Sequence, residues 1–338
     1  MMRQRAVAAA SLASVGAAAA ATGRSSCSAS SASGGTATTG DRNWGAPRPP
    51  KTLPALGGAN AGGGVLLLSD LDGTLYSHAP GAEGARSLAR FNRHWLKAED
   101  ERSILCYNTA RNMKDYRDLV AEGRAKDPPS VLLVPDVLCT GGGTAVQFRD
   151  PATGALEPDV GWSARVEAEW APVLPEIGEW LAAFDEGHID DLNAEPDARA
   201  ALTVWGPAKA ALARDALRAK LGDRVTIVVM ESWVAGAWMV TASPPTATKR
   251  NVAVYVAEKL GVRHADCLWA GDTEGDESML DSGMRGVCVR NATPGLLAAM
   301  RDKVQRAGAD VMHASGHSTT GVHEALQIHQ HSRGAARF

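Results

Sequence analysis

The chain has 338 residues, 45% of them hydrophobic and 22% charged, and a formal net charge of -3. This length accommodates two domains, or one large domain carrying an insertion, within an ordinary soluble globular composition. The charge balance supplies no basic field, which argues against nucleic acid and anionic membrane surfaces as partners, and no run is long and apolar enough to span a bilayer.

Residues 1–40 are crowded with Ala and Ser, carry Arg3, Arg5 and Arg24, and precede the first acid, Asp41. That is the composition of an organelle transit peptide, and a plastid is the expected destination. The Ala-rich run after MMRQR also resembles a secretory signal, although Ser11, Ser14 and Gly16 interrupt it. A disordered tail with no address, leaving the chain in the cytoplasm, is the third reading. Residues 41–63, rich in Pro and Gly, read as a linker.

Beyond the linker, strand and helix patterns alternate. GVLLLSD is a strand, residues 85–98 a helix, SILCYNTA a strand, MKDYRDLVAEG a helix, and SVLLVPDVLCTGGGTAVQF a pair of strands around a glycine turn. Residues 141–144, GGGT, read as that hairpin turn, with approach to a phosphate as the other reading. In the interval that follows, ARVEAEWAPVLPEIGEWLAAF is helical with Trp170 and Trp180 on its apolar face, LTVWG and RVTIVVME are strands, and PAKAALARDALRAKLG is a helix between them. The tryptophans, at helical spacing, read as core, with stacking on a sugar ring as the alternative. The alternation then returns: KRNVAVYVAEKLG is helical, DCLWAGD a strand, ESMLDSG a short helix, RGVCVRN a strand, TPGLLAAMRDKVQRAG a helix, and GVHEALQIHQ the last helix. Continuous apolar strands between helices predict an α/β fold with a doubly wound parallel sheet. Cys27, Cys106, Cys139, Cys267 and Cys288 show no CxxC spacing, and the last four fall in apolar runs, so they read as core residues in a reducing compartment.

In such sheets, chemistry is expected just past the carboxyl ends of the strands. Those positions hold Asp70 and Asp72, then Asn108, Thr109 and Arg111, then Thr248 and Lys249 ahead of a helix, then Asp272, Thr273 and Asp276. Carboxylates gathered at one sheet edge repel, which favours a divalent cation among them. Oxygen-only donors, with no His or Cys in the set, select Mg²⁺ over zinc. Thr109 also reads as a helix N-cap, and Arg111 either binds substrate or pairs with a nearby acid.

DLDGT, NTAR, the Lys249 segment and GDTEGD, in this order, resemble the four motifs of the haloacid dehalogenase superfamily of phosphohydrolases. The resemblance implies Asp70 as nucleophile, forming an aspartyl-phosphate, and Asp72 as general acid and base. It implies Thr109 and Lys249 as holders of the phosphoryl oxygens. The implied Mg²⁺ ligands are Asp70, the backbone carbonyl of Asp72, Asp272 and Asp276, the last directly or through water or Lys249. Residues 150–242, between the second and third motifs, stand where the superfamily inserts its C2 cap, a small α/β domain; residues 64–149 and 243–332 would form the hydrolase core.

Within the superfamily the chain resembles the sucrose-phosphate phosphatases. LLLSDLDGTL, Trp162 and Trp170, TASPPTATKRNVAVYVAEKLG, GVCVRNATPGLLAAM and HASGHSTTGVHEAL carry the likeness. It implies a small-molecule sugar phosphate as substrate, contacted by Asn108, Arg111, Glu195, Arg199 and Asn291, and a sugar-phosphate synthase as a docking partner. Two departures stand out: the cap lysine of that family falls near Ala200, with Arg199 as an approximate stand-in, and Ala110 replaces the usual Gly of the second motif. The function expected is a Mg²⁺-dependent phosphomonoester hydrolase. The alternative is a non-catalytic domain that binds a sugar phosphate or docks on a synthase.

Overall fold

The structure, a computed structural model, describes residues 64–79, 81–98, 102–183, 187–188, 199–231 and 236–335. The targeting segment and linker expected over residues 1–63, and Glu195, lie outside the described residues. In chain order the elements are β1 (Leu66–Ser69), α1 (Glu83–Ala98), β2 (Ile104–Asn108), α2 (Met113–Ala125), β3 (Val137–Thr140), β4 (Ala145–Arg149), β5 (Leu156–Pro158), α3 (Val160–Trp170), α4 (Leu174–Ala182), β6 (Gly187–His188), β7 (Ala200–Trp205), α5 (Pro207–Leu221), β8 (Thr226–Glu231), β9 (Ala237–Ser243), α6 (Lys249–Lys259), β10 (Cys267–Gly271), β11 (Arg285–Cys288), α7 (Pro294–Ala307), β12 (Val311–His313) and α8 (Thr319–Ala335). None of these helices is long and apolar enough to cross a membrane.

Eight strands form one sheet in the order β12-β11-β10-β1-β2-β3-β4-β5. It is parallel from β12 to β3 and antiparallel across β4 and β5. β1 is central, in register with β2 at Leu67↔Leu105 and with β10 at Leu67↔Leu268. Successive residues of a strand point to opposite faces, so an apolar strand covered on both sides feeds two cores. Leu66, Leu68, Ile104 and Cys106 join one cluster, packed by Val252 and Val256 of α6 and Leu296 of α7. Leu67, Leu105 and Tyr107 join the other, under Leu88, Phe91 and Trp95 of α1, Tyr116 of α2 and Val322 and Leu326 of α8. The α/β, doubly wound expectation is met, and Cys106, Cys139, Cys267 and Cys288 are buried free thiols.

A second, antiparallel sheet runs β6-β7-β9-β8. Its residues Leu202, Val204 and Val240 continue the first cluster through Trp162, Trp170, Ile177 and Trp180. Trp170 and Trp180 are 5% and 3% exposed, and Trp180 Nε1 donates to Ala213 O of α5 at 3.0 Å, so both are core residues.

Local structure departs from the sequence reading in four places. The single helix expected over residues 164–184 is two, α3 and α4, joined by a 3-10 turn at Ala171–Val173. Pro172 lacks the N–H that a continuous helix would use and its ring crowds the preceding turn. The short helix expected at 277–283 is a 3-10 segment over Glu274–Asp281. β9, the partner of both β7 and β8, and the short strands β5, β6 and β12 were not anticipated. Finally, β5 lies within the interval 150–242 yet pairs with β4 of the large sheet.

Candidate active site

β1 ends with Asp70 N donating to Ala270 O at 3.0 Å, so the next residues leave the sheet beside the end of β10. Gly73 turns the chain back with φ +75°, and a Cβ there would collide with the Asp272 carboxylate. Only glycine supplies both that backbone and that clearance. Thr74 Oγ1 then donates to Asp272 Oδ1 at 2.9 Å, tying the first motif to the fourth.

Lys249 opens α6, whose N-cap is Thr248, accepting from Asn251 N at 3.0 Å. The Lys249 side chain is 4% exposed, and its Nζ lies 3.0 Å from Asp70 Oδ1 and 2.7 Å from Asp276 Oδ1. Burial lowers the affinity of Lys249 for its proton, but the carboxylates of Asp276 and Asp70 more than reverse that, so it is held cationic. Asp276 Oδ2 accepts from Asp272 N at 3.0 Å and Thr273 N at 3.3 Å, which caps the 3-10 segment. Both oxygens of Asp276 are thereby engaged by the protein.

Asp70, Asp272 and Asp276 bring carboxylate oxygens within 4.8 Å of one another. Asp70 is pushed up to about 7 from the ordinary 3.8, chiefly by burial; Lys249 opposes this and Asp276 adds to it. Asp272 is pushed up to about 8 by burial and by the charges of Asp70 and Asp276. Three acids facing one ammonium leave unbalanced negative charge, and every donor is a hard oxygen. Such a set fits a divalent cation of the Mg²⁺ or Ca²⁺ type, with Asp70 and Asp272 better placed to ligate than the doubly engaged Asp276.

Asp72 points elsewhere. Arg111 grips it with Nε to Oδ2 and Nη2 to Oδ1, both 2.7 Å, and His78 Nε2 lies 2.5 Å from Oδ1. Burial would raise this carboxyl, but hydrogen bonds from His78 and Arg111 hold it well below the usual carboxylate range. Of the two readings of Arg111, the structure shows the ion pair. Thr109 Oγ1 accepts from Arg111 N at 3.1 Å, while the N-cap of α2 is Asn112, accepting from Asp115 N at 2.7 Å. The cap expected of Thr109 therefore falls three residues later.

Two residues expected to contact substrate are occupied by the protein. Asn108 Nδ2 donates to Lys249 O at 2.9 Å, fixing the start of α6, and its buried Oδ1 has no partner among the described residues. Asn291 Nδ2 donates to Gly73 O at 2.8 Å while its Oδ1 accepts from Ser318 N at 2.8 Å, so it braces the turn after Asp72. Arg199, at the head of β7, reaches across to Ala110 O with Nη1 at 2.5 Å. The GGGT stretch is the hairpin turn between β3 and β4. His78 and Thr74 were not singled out from sequence. Thr74 could have been found, as the hydroxyl closing DLDGT, whereas His78 sits in a loop with no pattern to mark it.

A cavity of about 420 Å³ opens beside Lys249. Its walls include Ala110, Arg199, Val228, Met230, Thr241 and Glu277, so β8 and β9 of the four-stranded sheet face loops and the 3-10 segment at the end of the large sheet across it. The arrangement thus offers a buried carboxylate beside an ammonium, an oxygen donor set for a cation, and an adjoining chamber larger than a phosphate needs.

Residues 64–330 match the family of sucrose-6F-phosphate phosphohydrolase. Among curated proteins, the chain is 26% identical over 267 residues to sucrose-phosphatase 1 of Nicotiana tabacum, covering 78% of this chain and 58% of that protein. It is 24% identical over 267 residues to probable sucrose-phosphatase 3b of Arabidopsis thaliana, covering 78% and 59%. The chain therefore spans less than two thirds of the length of these relatives. Among solved structures, the sucrose-phosphatase of Synechocystis, in complex with sucrose and phosphate, superposes with TM-score 0.59 at 21% identity, covering 78% of this chain and 97% of that one. A haloacid dehalogenase-like hydrolase protein from Bacillus subtilis gives 0.56 at 13% identity, covering 83% and 95%. These two likenesses establish a shared fold.

Proposed function

The chain belongs to the sucrose-6F-phosphate phosphohydrolase family, and from that membership together with the site we propose that it hydrolyses the phosphomonoester of a sugar phosphate. The observation that carries the reading is Lys249 bridging Asp70 and Asp276 beside Asp272, a constellation assembled from the ends of β1 and β10 and the start of α6.

In this reading a carboxylate oxygen of Asp70 attacks phosphorus, the bond to the sugar oxygen breaks, and Asp72 gives that oxygen a proton. Water then attacks the aspartyl-phosphate, Asp72 takes its proton, and the phosphorus–Asp70 bond breaks to release phosphate. Lys249 and Thr109 hold the phosphoryl oxygens as their charge shifts. Mg²⁺, held by Asp70, Asp272 and the carbonyl of Asp72, would neutralise the phosphoryl charge and offset the repulsion among the acids. Arg111 aims Asp72, and its hydrogen bond with that of His78 holds the carboxyl ionised, so Asp72 takes up the proton it gives only as those bonds weaken in the substrate-bound site, with the aim from Arg111 still needed.

Residues 64–149 and 243–332 are taken as the hydrolase core and 150–242 as the insertion that reads the sugar. Residues 1–40 are taken as a plastid address, and a sugar-phosphate synthase as a docking partner. The presence of Asp70, Asp72, Lys249, Asp272 and Asp276 together favours catalysis over a non-catalytic binding domain. The test is phosphate release from a panel of sugar phosphates, sucrose 6-phosphate included, with Mg²⁺ and with EDTA, beside Asp70→Asn. Metal-dependent turnover abolished in the variant is expected. Retained sugar-phosphate binding without turnover on any ester would replace the enzyme with the binding domain.

A further inference from the structure

The turn at residues 109–111 joins the two halves of the site, carrying Thr109 on one side and Arg111, the partner of Asp72, on the other. Each of its three carbonyls is claimed. Gly142 N donates to Thr109 O at 2.9 Å and Gly141 N to Arg111 O at 2.7 Å, both from the β3–β4 hairpin of the large sheet. The middle carbonyl, Ala110 O, accepts from Arg199 Nη1 at 2.5 Å, and Arg199 belongs to the four-stranded sheet through β7.

We infer that Arg199 is a positioning residue that couples the seating of the four-stranded sheet to the placement of Arg111, and through it of Asp72. This inference rests on the phosphatase reading for its kinetic consequences, and on geometry alone for the coupling. The bond is charge-assisted and half-buried, the setting in which a guanidinium-to-carbonyl contact is strong. Removing the guanidinium leaves Ala110 O without that donor and frees the one turn residue that the hairpin does not hold. Arg199 also lines the cavity beside Lys249, so a direct contact with the sugar is the competing role, and the two differ in what they predict.

The experiment uses the full chain, Arg199→Ala and Arg199→Lys, with p-nitrophenyl phosphate and sucrose 6-phosphate as esters. Coupling predicts that Arg199→Ala lowers kcat/KM by a similar factor, about tenfold, on both esters, carried by kcat, and that Arg199→Lys recovers much of it. It also predicts faster hydrogen exchange at the amides of Gly141 and Gly142, which report on the turn directly, with the β9 amide of Val240 unchanged. A loss confined to the sugar ester, with exchange unaltered, would make Arg199 a sugar contact and overturn the inference. So would no change in either variant. If the parent chain turns over no ester, the phosphatase reading fails by itself, and unaltered exchange at Gly141 and Gly142 still overturns the coupling.

Discussion

Arg111 and Asp72 meet fork to fork, Nε on Oδ2 and Nη2 on Oδ1, each at 2.7 Å. The planar guanidinium matches a carboxylate in a way an ammonium cannot. Arg111→Lys is therefore expected to behave nearly as badly as Arg111→Ala, each lowering kcat by about tenfold or more, with the fold intact. Steady-state kinetics with a thermal scan checks this. Carbon-detected titration of Asp72 should show its carboxyl rising toward the ordinary range in both variants.

Asp70 and Asp272 bind protons more tightly in the folded chain than their ordinary value of 3.8 implies, at about 7 and about 8. The folded state thus holds more protons than the unfolded one across that window, so its stability falls as pH rises through it. In EDTA, the melting temperature is expected to be higher near pH 5 than near pH 8 on account of these two groups. Mg²⁺ should raise it more at the higher pH, where both carboxylates are free to ligate. Melting curves at the two pH values, with and without the cation, decide the matter. An equal Mg²⁺ shift at both would show that these acids are not its ligands.

Trp180 is 3% exposed and hydrogen-bonded to Ala213 O. Trp180→Ala should cost about 3–5 kcal/mol of stability, read from denaturant unfolding. The folded fraction should retain its KM for sugar phosphates, which a stacking platform would not allow.

Gly143 and Gly142 make a matched pair. Both have positive φ, at +111° and +70°, but a Cβ on Gly143 would stand 2.7 Å from Thr248 O, whereas one on Gly142 meets nothing within 4 Å. Gly142→Ala is expected to cost about 1 kcal/mol from backbone strain alone. Gly143→Ala should cost more and also reduce kcat, because Thr248 carries Lys249. Unfolding and kinetic measurements on the two variants separate strain from displacement.

The sheet was legible because its strands are uninterrupted apolar runs, and the acids were legible because DLDGT and GDTEGD follow two of those runs directly. β9 was missed although Trp238, Val240 and Ala242 alternate along it, since the stretch merges into the polar segment that leads to Lys249. The break at Pro172 was readable from proline chemistry but was outweighed by the apolar periodicity on either side. Residue roles were harder to read. Asn108, Arg111 and Asn291 are polar groups at strand ends, and sequence does not distinguish one that meets a ligand from one that holds a neighbouring loop. Their hydrogen bonds to Lys249 O, Asp72 and Gly73 O span 39 to 218 residues of chain.

The exit from the four-stranded sheet is short: β9 ends at Ser243 and α6 starts at Lys249. Glu169 of α3 holds that passage through Thr246 N and Thr246 Oγ1. The lysine against Asp70 is thus the continuation of a strand that walls the adjoining cavity. Substitutions in β9 that reshape the cavity would also move the lysine. The cavity wall should therefore tolerate change more readily along β8, which does not run on into the lysine beside Asp70.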